Sequence, residues 1–305
     1  MARSRTHSTP ARESKEERTI TRNLKELISR PGRALLLPGA TNALSAKIVE
    51  DLGFDAVYLT GAGVTNTELG LPDLGFITLD QIAAQVGRIR DVVDIPIVVD
   101  ADTGFGNALN VTQCVRVLER NGANAIQLED QVFPKRCGHF AGKAVASLEE
   151  AVTKIKAVVD TRRSEEFLVV ARTDALAVAD MDEVLRRTSA FEAAGADVIF
   201  VEALTTKVEI AEVPKHVKLP LLINMVEGGK TPLMEAGELE ALGYHIILYA
   251  NSGLRASILA MQRVLGALKT QGSTTGVLDQ IVEWDERQRL VGKGIYDEME
   301  QRYKS

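Results

Sequence analysis

Several things are scarce in this sequence, and each scarcity closes off a class of explanation. Among 305 residues there are two cysteines, Cys114 and Cys137, too few for a disulfide framework at this size, so a reducing compartment and hence the cytoplasm are expected. No stretch approaches the roughly 18 consecutive apolar residues that a membrane-crossing helix needs, and no membrane partner is expected. Charge of one sign is nowhere concentrated: the net charge of −6 is spread along the chain, leaving no basic footprint for a nucleic acid. The opening MARSRTHSTPARESKEER lacks the apolar segment of a secretory signal, and Glu13, Glu16 and Glu17 argue against a transit peptide. Residues 1–19 are expected to form a disordered tail. No G-x-G-x-x-G follows the first strand-like run, which weakens the case for an open dinucleotide-binding sheet.

What is present is regular. After an amphipathic opening helix (Thr21 to Ser29), β-rich runs recur: ALLLP at 34–38, AVYLT at 56–60, IPIVVD at 95–100, AIQLE at 125–129, FLVVAR at 167–172, VIFVE at 198–202, PLLIN at 220–224 and HIILYA at 245–250. Between them lie stretches with apolar residues at three- and four-residue spacing: Ala43 to Leu52, Leu109 to Asn121, Leu148 to Thr161, Met181 to Ala194 and Glu235 to Leu242. Glycine often closes them, at Gly53, Gly122, Gly195 and Gly243. Such alternation implies parallel strands joined by crossover helices. Eight units in this length predict an α/β fold, a (β/α)₈ barrel over residues 20–276, followed by a C-terminal helical extension over 277–305.

The strand ends carry the chemistry. Read at their C-terminal ends, the runs deliver Thr60, Asp100 with Asp102, Glu129, Arg172 with Asp174, Glu202, Asn224, and Tyr249 with Asn251. In a barrel these share one rim, where active sites of this fold sit. Asp100 and Asp102 are two residues apart, so an extended backbone would send both side chains to one face, and a parallel neighbour would bring Glu129 to the same height. Three hard oxygen ligands favour magnesium, with manganese as a substitute, over zinc. Such an ion would bind a chelating 2-keto or 2-hydroxy carboxylate; Arg172 would clamp a carboxylate in bidentate fashion. Gly61, Ala62 and Gly63 offer backbone N–H groups for the same anion. Beyond Glu129 a thiol, Cys137, stands among Lys135, Arg136 and His139 in a segment that also carries Gly138 and Gly142, cationic surroundings that mark a reactive cysteine. His216, His245, Trp284 and Cys114 read as structural or surface groups, with Trp284 packing a C-terminal helix.

YLTGAGV, LPDLG, VDADTGFG, QLEDQ, KRCGH, ARTDA, VEA and NMVEGGKTP occur in that order between Leu36 and Arg255. In these motifs the chain resembles the isocitrate lyase and phosphoenolpyruvate mutase superfamily. The resemblance implies a barrel with magnesium at Asp100, Asp102 and Glu129. It implies a keto-acid pocket at Tyr58, Thr60, Gly61 and Ala62, with Asp73 as a further polar pocket residue. Cys137 would be the catalytic acid/base on a gating loop, accompanied by Lys135, Arg136 and His139, with Gly138 beside the substrate. Arg172, Glu202 and Asn224 would close around the carboxylates. The resemblance further implies a homotetramer that swaps C-terminal helices, here Val277 to Tyr303. The cysteine of KRCGH is characteristic of the lyase branch and favours C–C over C–P cleavage. Phe140, where methylisocitrate lyases have arginine, and Ala250-Asn251 after the last strand are departures. The missing cation favours a 2-alkylmalate or 2,3-dimethylmalate over 2-methylisocitrate as the di- or tricarboxylic acid cleaved. The alternatives are a phosphonomutase and an oxaloacetate hydrolase or decarboxylase.

Overall fold

The computed structural model describes residues 23–135 and 142–304. The expected tail at 1–19 and the residues Arg136, Cys137, Gly138, His139 and Phe140 lie outside them. Eight parallel strands close in sequence order: β1 Leu35–Ala40, β2 Val57–Leu59, β3 Ile97–Asp100, β4 Ala125–Glu129, β5 Leu168–Thr173, β6 Val198–Val201, β7 Leu221–Asn224 and β8 Ile246–Tyr249, with β8 pairing back onto β1. The expected barrel is therefore the observed one.

Apart from β1, where Leu36 is exposed, the strands are buried on both faces along most of their length, which is why they read as unbroken apolar runs. On β2 and β3, Val57, Leu59, Ile97 and Val99 pack outward under the helices, whereas Tyr58 and Val98 point into the barrel with Leu37, Val170, Phe200, Leu222 and Leu248. The helices are α1 Leu24–Ile28, α2 Ala43–Asp51, α3 Gly61–Val64, α4 Leu79–Arg90, α5 Ala108–Arg120, α6 Leu148–Thr161, α7 Met181–Ala193, α8 Lys207–Glu212, α9 Ala236–Leu242, α10 Ser252–Gln271, α11 Trp284–Leu290 and α12 Lys293–Tyr303. The opening helix is shorter than Thr21 to Ser29.

Local chemistry sets the helix ends. Asn107 caps α5 by accepting from the Leu109 and Asn110 N–H groups, and Asn110 answers with a bond from the Asn107 N–H; a cap of this kind contributes about 1 kcal/mol. Along α5 the buried residues Val111, Val115 and Leu118 fall on the face turned to the sheet. At the bottom of the barrel, Leu24, Leu27 and Ile28 of α1 join Leu35, Ala56, Ala125, Leu168, Val198 and Ile246, residues at the starts of strands. That end is sealed. At the opposite end Gly39 lies so close to the start of α10 that a Cβ would collide with the Ala250 carbonyl. No described helix is long and apolar enough to cross a membrane.

Candidate active site

The open rim gathers the acids, although not by the route that strand alternation implies. Asp100 is the last residue of β3, and the chain then leaves the strand: Gly104 N–H bonds to the Ala101 carbonyl and Asp102 takes a left-handed φ of 47°. Asp102 reaches the site from a turn, its N–H donating to Asp100 Oδ1 at 3.2 Å. Both carboxylates converge over Gly61. A Cβ there would lie 3.1 Å from Asp100 Oδ2 and 3.4 Å from Asp102 Oδ1, so this position has room for glycine and little else. Glu129 comes level because its N–H donates to the Asp102 carbonyl at 2.9 Å.

The cations are already engaged. Lys135 Nζ stands 2.6 Å from Asp73 Oδ1 and 2.8 Å from Asp102 Oδ1, with 4 % of its side chain exposed. Arg172 Nη1 is 3.1 Å from Glu129 Oε2, while its Nε and Nη2 donate to the two oxygens of Asp174 at 2.9 and 3.1 Å. The bidentate fork expected to clamp a substrate is thus spent on Asp174, because residues two apart at the end of β5 share a face; one nitrogen is left toward the site. The Arg172 guanidinium lies 5.3 Å over the Phe200 ring. A similar correction applies to the glycine turn. Gly61 N–H donates to Asp100 Oδ2 and Gly63 N–H to Thr60 Oγ1, which leaves Ala62 as the candidate anion donor of the three. The Thr60 hydroxyl donates to Asn251 Oδ1, so Thr60 ties β2 to the start of α10.

Burial raises the cost of every charge here. It is the largest influence on Asp102, where Asp100 and Asp73 add to it and Lys135 opposes, and the carboxyl is pushed up to about 7. Burial also lifts Glu129 well above the ordinary glutamate value, against the opposing charge of Arg172. For Lys135, burial works against the charge, but Asp102, Asp100, Glu129 and Asp73 outweigh it and hold the ammonium. Burial, reinforced by Asp100, keeps Tyr58 protonated well beyond the ordinary tyrosine value. The rim therefore carries more buried negative charge than its two cations relieve.

That imbalance is the test of whether a divalent ion fits. Asp100, Asp102 and Glu129 supply hard oxygens, and Glu129 Oε1 is buried with no hydrogen-bond partner among the described residues. Yet among the described residues no three acidic, histidine or cysteine groups are already drawn together around one point. The expected three-carboxylate shell is therefore not assembled: Asp102 is paired with Lys135 and Glu129 with Arg172, an arrangement that suits an ion that keeps several waters and binds through few carboxylates.

The remaining expected residues divide. Asn224 closes β7 with a buried Oδ1 that has no partner among the described residues; Glu202 is buried just beyond β6 and within electrostatic reach of Arg172. Cys137, Arg136, Gly138 and His139 lie outside the described residues. Sequence reasoning missed Gln127, which stands beside Asp100 in the β3–β4 register, two residues before Glu129 and on its inward face, with a buried Oε1 that has no partner among the described residues; the period of two was the available signal. It also missed Asp130 and Arg187. Asp130 accepts from Thr173 Oγ1 at 2.7 Å, the Asp174 N–H at 2.9 Å and Arg187 Nη1 at 2.9 Å, and nothing local in the sequence announces a partner 57 residues away. Cys114 is fully buried on α5, its thiol pushed up to about 12 chiefly by burial, and is inert as expected.

The sequence and the barrel have known counterparts. A family model described as phosphoenolpyruvate phosphomutase matches residues 24–269. The chain is 44 % identical over 280 residues to 2,3-dimethylmalate lyase of Eubacterium barkeri, covering 92 % of this chain and 96 % of that one. It is 44 % identical over 274 residues to 2-methylisocitrate lyase of Aeropyrum pernix, covering 90 % and 88 %. A crystal structure of 2,3-dimethylmalate lyase, described as a PEP mutase/isocitrate lyase superfamily member, superposes with a TM-score of 0.87 at 34 % identity and covers 93 % of this chain and 95 % of that one. With the family model, the shared barrel and the identity all in agreement, this chain belongs to the PEP mutase/isocitrate lyase superfamily.

Proposed function

We propose that the protein is a carbon–carbon lyase that cleaves a 2-hydroxy dicarboxylate to a 2-keto acid such as pyruvate and a second carboxylic acid. Two lyases at 44 % identity over nearly the whole chain support the reaction class. The observation that carries it to this site is the gathering of Asp100, Asp102, Glu129 and Arg172 at one rim, with Glu129 Oε1 and Asn224 Oδ1 buried and without a partner among the described residues. Buried polar atoms without partners are uncommon unless a ligand or ion completes them.

Asp100, Asp102 and Glu129 would hold magnesium, with manganese as a substitute; bound there, it would supply positive charge to the 2-hydroxy and carboxylate oxygens of the substrate. Arg172 would offer Nη1 to a substrate carboxylate, with Ala62 N–H, Asn224 and Glu202 completing the pocket and Asp73 keeping Lys135 in place. Tyr58, held protonated chiefly by burial, would donate a hydrogen bond to the substrate and not act as a base. In the reaction the hydroxyl proton leaves to a base, its electron pair forms the keto group, the C–C bond breaks, and the carboxylate-stabilised carbanion takes a proton from an acid. We assign that acid to Cys137, with Lys135, Arg136 and His139 around it and Gly138 at the substrate. Phe140 in place of a cation favours a 2-alkylmalate or 2,3-dimethylmalate over 2-methylisocitrate.

We further infer a cytoplasmic homotetramer assembled through the C-terminal helices. Leu259, Met261, Leu265, Trp284, Tyr296 and Tyr303 are exposed on α10, α11 and α12 in the single chain, a run of apolar surface that soluble monomers rarely leave open. Trp284 is 67 % exposed instead of packed, its ring under the Arg287 guanidinium at 4.1 Å. Pyruvate release from 2,3-dimethylmalate, other 2-alkylmalates and 2-methylisocitrate, with magnesium and with EDTA, tests the assignment. Magnesium-dependent cleavage of an alkylmalate is expected; turnover of 2-methylisocitrate alone would refute the preference, and turnover of none would refute the lyase.

A further inference from the structure

Two carboxylates compete for Arg172, and which of them takes the guanidinium fork decides what the site can do. Arginine pairs best with a carboxylate through two parallel bonds. Here Asp174 takes both, through Nε and Nη2, and Glu129 receives a single contact of 3.1 Å from Nη1. Were the fork to turn to Glu129, both carboxylate oxygens would be occupied and Oε1 would lose its openness. Asp174 prevents this, and it is firmly held: its N–H donates to Asp130 Oδ1, and Asp130 is fixed by Thr173 and Arg187.

Asp174 would by itself cancel the charge of Arg172. It does not, because Lys143 Nζ lies 2.6 Å from Asp174 Oδ1, with 2 % of the lysine side chain and none of the aspartate exposed. In so little water the pairing is scarcely screened. Lys143 and Asp174 together are neutral, and the charge of Arg172 stays available.

We propose that Asp174 and Lys143 are positioning residues: a neutral buried pair that turns the Arg172 fork away from Glu129 while leaving the guanidinium charge to attract a substrate carboxylate. This rests on the reading above, in which Arg172 meets the substrate and Glu129 belongs to the ion site. Without Lys143, Asp174 adds its uncompensated charge to those of Glu129 and Glu202 around the one guanidinium, and an incoming dianion meets stronger repulsion. Without the Asp174 charge, the fork falls to Glu129 and the ion loses an oxygen.

The test uses the full chain with Lys143→Met, Lys143→Arg, Asp174→Asn and three readouts. These are oxalate binding to the magnesium-loaded protein by calorimetry, Mn²⁺ binding without substrate by paramagnetic resonance, and kcat and KM for whichever acid is cleaved. Lys143→Met should weaken oxalate and raise KM about 10-fold, with kcat within about 3-fold and Mn²⁺ affinity unchanged, and Lys143→Arg should restore oxalate binding. Asp174→Asn should instead weaken Mn²⁺ about 10-fold and lower kcat. If Asp174→Asn does not fold, the two Lys143 variants decide. Folded variants that bind oxalate and Mn²⁺ within about 2-fold of the parent, or an arginine at 143 that restores nothing, overturn the proposal. Loss of oxalate affinity in Lys143→Met when the parent cleaves no candidate acid would sink the lyase and leave the positioning pair standing; unchanged variants of an active parent would sink only the pair.

Discussion

The two ends of the barrel are built from the same eight strands and treat buried surface in opposite ways. At the strand starts, Leu24, Leu27 and Ile28 of α1 fill the opening with apolar side chains, and every buried group there gains from leaving water. At the strand ends, Asp100, Asp102, Glu129, Lys135 and Arg172 are all buried, and Gln127, Glu129 and Asn224 keep polar atoms without partners among the described residues. One end stabilises the fold; the other stores unfavourable charge that a ligand would relieve. The difference teaches where substitutions should separate stability from activity.

The largest separation is expected from a pair of variants. Glu129→Gln removes a buried charge that burial already pushes toward the protonated form, so it should lower turnover by about 10³-fold while leaving the melting temperature unchanged or higher. Leu27→Ala, at a residue only 2 % exposed, should do the reverse, costing about 3 kcal/mol of stability with kcat unchanged. Thermal melts and initial rates on both proteins measure this; equal loss of stability in the two would erase the distinction between the ends.

A smaller effect follows from Asp102. Its carboxyl titrates at about 7 when folded against 3.8 for the ordinary group, so between those values the folded state binds a proton that the unfolded state has released. Stability of the metal-free protein should therefore rise as pH falls from about 7 toward 3.8. Magnesium, by favouring the ionised carboxylates, should flatten that slope and add about 2.7 kcal/mol at 100 times its dissociation constant. Urea unfolding from pH 5 to 8 with magnesium and with EDTA reads both, and a metal-free stability that climbs with pH would contradict the charge imbalance at the rim.

Much of this was legible in the sequence, for reasons that also mark where legibility stops. The strands could be found because both of their faces are buried and they read as short apolar runs; β4 and α6 have the bounds that the pattern implies. The rim acids could be named because a strand ends where its residue turns polar. Asp102 shows the limit: its side chain arrives with Asp100, but through a left-handed turn that alternation does not describe. The engagement of Arg172 by Asp174 was readable from a spacing of two, whereas Lys143 and Arg187 act on partners 31 and 57 residues away, a separation that only the closed barrel brings together. The long helix Ser252–Gln271 follows β8 within the range expected for the barrel and carries exposed apolar residues as α11 and α12 do.

The smallest effect sharpens the comparison most, because it lies in the inward-facing layer level with Asp100 and two residues before Glu129 on β4. Gln127 is 1 % exposed, beside Asp100 in register and inward-facing, and its Oε1 has no partner among the described residues. A buried acceptor left unpaired costs about 1–3 kcal/mol, whereas an apolar side chain of similar shape carries no such penalty. Gln127→Met should therefore raise stability by about 1 kcal/mol, or about 2 °C in a chain of this size. If the polarity of this layer serves the ligand, the same substitution should lower kcat/KM, since the amide then has a partner only when the site is filled. A variant that is more stable and equally active would confine the functional polarity to the rim; one that is less stable would show that the amide is satisfied in solution and that the layer belongs with the sealed end.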